Sequence, residues 1–89
     1  MNRAVLLPLV VVVMAAGPAL TEPPGASSCT GCHVKGGGIG LLQGKPAADT
    51  VREMEAYRSG QAAATLMGRI AKGFTPDEVV QLAFWFQAQ

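Results

Sequence analysis

"CTGCHVKGGGIG", residues 29–40, sets two cysteines and a histidine within five positions and then a run of glycines. Cys29, Cys32 and His33 are the only Cys and His residues of the chain. A structural zinc ion wants four such ligands and a catalytic one three plus water. Adjacent Cys32 and His33 also fit poorly around one tetrahedral ion. A thioredoxin-like Cys-x-x-Cys needs a helix opening beside a parallel sheet, and no strand pattern accompanies this one. A plain disulfide in an oxidising compartment is a further reading. Cys-x-x-Cys-His has its own mechanical logic. Two thiols can add across the vinyl groups of a haem to leave two thioethers, and one helical turn sets the next histidine under the iron. The spacing favours a single c-type haem; zinc and a bare disulfide stay open beside it.

Working outward, the N-terminal residues 1–19 read as an export segment. Arg3 supplies the positive charge, Ala4 to Ala16 is apolar apart from Pro8, and Gly17, Pro18 and Ala19 bring small residues. That run is short for a membrane span, which takes about 20 residues. Cleavage is expected near Ala19, with an uncleaved anchor as the alternative. Residues 20–89 would then form one domain of roughly 70 residues, a size at which an apolar core alone is marginal. A disulfide, metal or cofactor is expected to complete it. Export points to the bacterial periplasm, where covalent haem attachment takes place, and a cleaved chain would have no stable membrane association. The chain has seven Lys+Arg against six Asp+Glu, and loss of Arg3 leaves six against six. No basic stripe invites nucleic acid.

The pattern of the rest is all-α. Thr21 to Ser28 reads as a linker or frayed start, because Pro23, Pro24 and Gly25 oppose a regular helix. Cys29 to His33 is expected as one helical turn, and Val34 to Pro46 as a loop. Pro46 suits a first helical position and Gly60 a stop, with an apolar stripe of Ala47, Val51, Met54 and Tyr57. A shorter helix is expected from about Ala63 to Lys72, ending at Gly73. Thr75, Pro76 and Glu78 then announce a capped helix that is apolar on almost every side from Val79 to Phe86.

With a haem granted and His33 as proximal ligand, the sixth ligand is narrowed by elimination. Methionine, lysine and an open position are the candidates, since no second histidine exists. Met1 and Met14 fall in the export segment, and Met54 fits its helix's apolar stripe. Met67 lies between glycine-marked boundaries, where the chain must turn over the far haem face. Ligation by Met67 is favoured over a gap-filling core role. Histidine–methionine ligation raises the potential and favours electron transfer over gas binding. Arg69 and Lys72 are candidates to neutralise the haem propionates, and Tyr57 and Trp85 to pack on the haem edge. For each the plainer reading is a solvated charge or a core aromatic. Phe84, Trp85 and Phe86 point three ways on one helix, so an exposed apolar contact surface is expected.

"CTGCH", a glycine-rich loop, a methionine segment and an aromatic last helix together resemble the class I cytochrome c fold. More narrowly, "YRSGQAAATLMGRIAKGFTPDEVVQLAFWF" resembles the single-haem cytochrome subunit of flavocytochrome c sulfide dehydrogenase, with "MGRIAKG" its most specific element. The resemblance implies a small all-α fold wrapped around one covalent haem, with thioethers at Cys29 and Cys32, His33 proximal and Met67 distal. It implies a flavoprotein partner that holds FAD and oxidises sulfide, and a downstream cytochrome c as acceptor. The chain would relay electrons and not be catalytic alone. Family members often carry a proline near position 40 whose carbonyl orients the histidine, a task that the Gly40 carbonyl can take over. The rival reading is a free monohaem cytochrome c serving an oxidase, reductase or photosynthetic reaction centre.

Overall fold

Pro46, which lacks a backbone N–H, follows a turn at residues 43–44 and is the N-cap of the longest helix. The computed structural model describes residues 3–12, 21–63 and 65–89. Its elements are four helices: α1 (Ala26–Thr30), α2 (Ala47–Ser59), α3 (Thr65–Lys72) and α4 (Pro76–Gln87). No strand occurs among the described residues, so the chain is all-α. Residues 3–12 form no regular secondary structure and are solvent-exposed. No described helix is long and apolar enough to cross a membrane. The expected cleavage point near Ala19 lies outside the described residues.

The boundaries of α2 follow its local chemistry. Pro46 O accepts from Asp49 N at 3.0 Å, and Gly60 ends the helix in the left-handed conformation. Pro46 has no side chain to cap the orphan N–H groups of the first turn. Gln87 does so instead, its Oε1 accepting from Ala47 N at 2.6 Å across 40 residues. At α4 the capping is internal. Thr75 N donates to Glu78 Oε1 at 2.8 Å and Glu78 N donates to Thr75 Oγ1 at 3.2 Å, the reciprocal box expected from the sequence.

Two expectations need correction. The stretch before Cys29 is not merely a linker, because α1 begins at Ala26, directly after the prolines. Gly25 makes the switch by adopting φ 91°, and Ala26 N donates to Pro23 O at 3.2 Å. The helix ends at Thr30, so the Cys29–His33 turn is continued by single bonds, among them His33 N to Cys29 O at 2.9 Å. Ala63 lies outside α3, which begins two residues later than its expected start.

The core is thin. Its buried apolar residues among those described include four alanines, and the larger members are Met54, Val79, Leu82 and Phe86. They form two clusters. Ala26, Leu82 and Phe86 join α1 to α4, while Met54, Ala71 and Val79 join α2, α3 and α4. Phe74, in the turn before α4, packs against both. Burial this limited leaves conformational entropy poorly opposed.

Candidate cofactor site

All four helices and the loop between α1 and α2 surround one cavity of about 570 Å³. The volume falls in the range of sites for sizeable organic ligands, roughly 300–1,000 Å³. Its wall is mostly apolar. The loop contributes Ile39, Leu41 and Leu42, α3 contributes Leu66 and Ile70, and α4 contributes Val79, Leu82 and Phe86. Several of these are not covered by the chain itself: Ile39 is 62 % exposed and Leu66 61 %. Apolar side chains bordering a cavity yet open to solvent mark a ligand surface.

The sequence motif lies on this wall. Cys29, Cys32 and His33 all border the cavity. Cys29 is carried by α1 and is half-buried, its Sγ donating to Gly25 O at 3.6 Å. Burial pushes its thiol pKa up, with a backbone hydrogen bond acting in the opposite sense. Cys32 is exposed, and the two sulfurs are free thiols. His33 Nδ1 lies 3.0 Å from Gly40 O. A carbonyl can only accept, so this bond requires a proton on Nδ1, and the tautomer of the neutral ring that makes it has its lone pair on Nε2. Gly40 reaches this position with φ 95°, in the region where glycine is favoured. The orienting carbonyl expected at position 40 is therefore present.

Among the described residues no three His, Cys, Asp or Glu side chains converge as a metal-binding group. The ligand count of a zinc site is missing there. Met67 on α3 borders the cavity and is half-buried, packing on the outside of the Met54 cluster. Met54 borders the cavity too, but it is buried between Ala71 and Val79, which matches its expected core role. Tyr57 lines the cavity from the next turn of α2.

Other candidates are not brought here. Arg69 and Lys72 are exposed on α3 and do not border the cavity. Trp85 is half-buried against the α1–α4 cluster and makes an edge contact with Phe86, their centroids 4.9 Å apart. The three aromatics of α4 do diverge: Phe86 is buried, Trp85 half-buried and Phe84 51 % exposed.

Lys45, Thr50 and Glu53 border the cavity without having been expected to. Thr50 had a signal available, since it lies three residues after Ala47 and four before Met54, on the same face of α2. Its polarity hid it. Lys45 and Glu53 are joined as an ion pair, and nothing local in the sequence announces that pairing. No protein-family model, curated protein or solved structure matches this chain.

Proposed function

We propose that the protein carries one electron at a time through a single covalent haem c, held in the cavity by a fold of the class I cytochrome c kind. The observation that carries this reading is the bond from His33 Nδ1–H to Gly40 O, made beside two free thiols at the wall of an apolar cavity. It selects the neutral tautomer whose free nitrogen is Nε2, the form in which imidazole binds iron, and hydrogen bonding at Nδ1 raises the basicity of Nε2.

The residues present fit the group. A macrocycle is large, flat and apolar, and the wall described above is mostly apolar, with α3 and α4 contributing Leu66, Ile70, Val79, Leu82 and Phe86. Cys29 and Cys32 would form the thioethers, His33 would be the proximal ligand and Met67 the distal one. When bound, the haem supplies an iron that alternates between ferrous and ferric states, at a potential raised by the thioether ligand. The chain does the rest. Gly40 O fixes the imidazole's orientation and tautomer. Leu42, Leu82 and Phe86 exclude water and lower the local dielectric, which further tunes the potential. Met67, as distal ligand, would take the site at which a small molecule could otherwise bind.

The setting we propose is the periplasm, with the chain as haem subunit of a sulfide-oxidising flavocytochrome c. Electrons would pass from FAD on the partner to this haem and then to another cytochrome c. The sulfide element rests on the likeness of residues 57–86 alone. The subunit reading is favoured over a free carrier by the apolar surface of α4, where Val80 and Phe84, one turn apart, are both exposed.

A visible absorption spectrum tests this directly, taken on native protein purified through this chain without denaturation. A c-type haem band with a stoichiometric flavin band is expected. A haem band alone would move the reading to a freely diffusing carrier, and a colourless protein would end the haem reading. In the haem-loaded protein, Met67→Ala should abolish the low-spin reduced spectrum. An unchanged spectrum would instead mean an open site.

A further inference from the structure

We infer that the carboxylates of the bound haem are received at Lys45 and Thr50, on the α2 side of the cavity, and not at Arg69 or Lys72. This rests on the haem reading above. A haem brings two propionates into a cavity whose wall is mostly apolar, and a carboxylate there needs cationic or hydrogen-bonding partners. Lys45 and Glu53 are the cavity's only Lys, Arg, Asp or Glu residues among those described. Arg69 and Lys72 are turned to solvent.

Lys45 has capacity to spare. Its ammonium carries three N–H donors, and Glu53 is its one ion-pair partner among the described residues. The Lys45 side chain is 27 % exposed, so the charge sits at the margin of the cavity, where a second carboxylate can approach while still partly hydrated. Lys45 would then bridge two carboxylates, with Glu53 holding it in place.

Thr50 adds an independent observation. It borders the cavity on the α2 face that carries Glu53 three residues later, and its buried Oγ1 has no hydrogen-bond partner. A buried hydroxyl left unpaired is costly. Threonine in a helix divides between two χ1 wells, so hydroxyl and methyl can exchange places. The exchange would aim the hydroxyl at a carboxylate beside Lys45. Sequence reading passed over both residues, because one lies in a loop and the other is polar within an apolar stripe.

The test uses the haem-loaded protein with isotope-labelled propionates. It reads their carboxylate bands in reduced-minus-oxidised infrared spectra, together with the midpoint potential. Lys45→Met and Thr50→Val should each shift the labelled bands. Lys45→Met should also lower the potential, because removing a cation favours ferric iron, and Lys45→Arg should restore both readouts. Arg69→Met and Lys72→Met should leave the bands as they are. Bands unmoved by Lys45→Met, or moved by Arg69→Met or Lys72→Met instead, would overturn the assignment. If Lys45→Met does not accumulate, Glu53→Gln substitutes for it. Freed from Glu53, Lys45 should bind the propionate more closely and shift the same bands, and unmoved bands would again overturn the inference. A wild-type protein without haem would be a different failure, that of the reading beneath it.

Discussion

Helix α4 and the loop of residues 31–46 face each other across the same cavity, and they are built on opposite terms. Helix α4 contains its own instructions. A capping box starts it, Pro76 fixes its first turn, and Leu82, Ala83 and Phe86 bury its inner face. The loop has few such devices. It is held by the His33–Gly40 bond, by Gly44 N donating to Phe86 O at 2.9 Å and by the Lys45–Glu53 pair. Its apolar residues Val34, Ile39 and Leu41 remain exposed. One side of the site is packed by the chain itself, and on the other side apolar residues stay open to solvent. An apolar wall without contacts on its open side forfeits the dispersion energy that an occupant would return.

The contrast can be broken most severely at the motif. On the proposed haem reading, replacing both Cys29 and Cys32 by serine should prevent covalent attachment and leave no cooperative thermal transition by circular dichroism, since a core in roughly 70 residues is marginal without a staple. A double variant that melts like the wild type would mean that the loop side needs no occupant. Next in size is Phe86→Ala, which should cost about 3–5 kcal/mol in denaturant titrations, because Phe86 serves the core, the cavity and the α4 side together. Gly25→Ala follows. A methyl group there would lie 2.6 Å from the Phe74 ring, in a left-handed conformation. Overpacking of that kind costs about 1–3 kcal/mol, and pairing it with Phe74→Leu should recover part of the loss.

The smallest effect sharpens the picture of α4. Thr75→Ala should cost about 1 kcal/mol by removal of the cap. The Thr75 backbone N–H, followed by its hydroxyl, holds the Glu78 carboxyl below the ordinary carboxylate range. A depressed pKa contributes stability above the unfolded value and loses it as pH falls through the folded one. Protection of the Thr75 and Glu78 amides, measured against their intrinsic exchange rates, should therefore fall on acidification below the ordinary glutamate range, while the middle of α4 stays protected. An equal loss of protection along the whole helix would show that the box is not what starts it.

Legibility in the sequence followed the same division. The ends of α2 and α4 are written in single residues, Pro46 and Gly60 for one, Thr75 and Glu78 for the other, because capping is local chemistry. The His33–Gly40 bond was also within reach, but only through the family resemblance, whose members place an orienting carbonyl near position 40. The early start of α1 was not. Its prolines argue against a helix, and only the burial of Ala26 against Leu82 and Phe86 explains why one forms there. Charge placement was misleading for a similar reason. Arg69 and Lys72 look well placed beside Met67 along the chain, yet they face away from the cavity. Lys45 reaches it through a loop whose path depends on several left-handed glycines.

The bond from Ala47 N to Gln87 Oε1 gives the molecule a sense of time. Synthesis runs from the N-terminus, so the Cys29–His33 segment and all of α2 exist before the residue that caps α2 has been made. Gly44 likewise waits for the carbonyl of Phe86. Until α4 arrives, α2 lacks its cap, the loop lacks the Phe86 carbonyl and the cavity lacks its wall of Val79, Leu82 and Phe86, so the last residues made complete what the earlier ones begin.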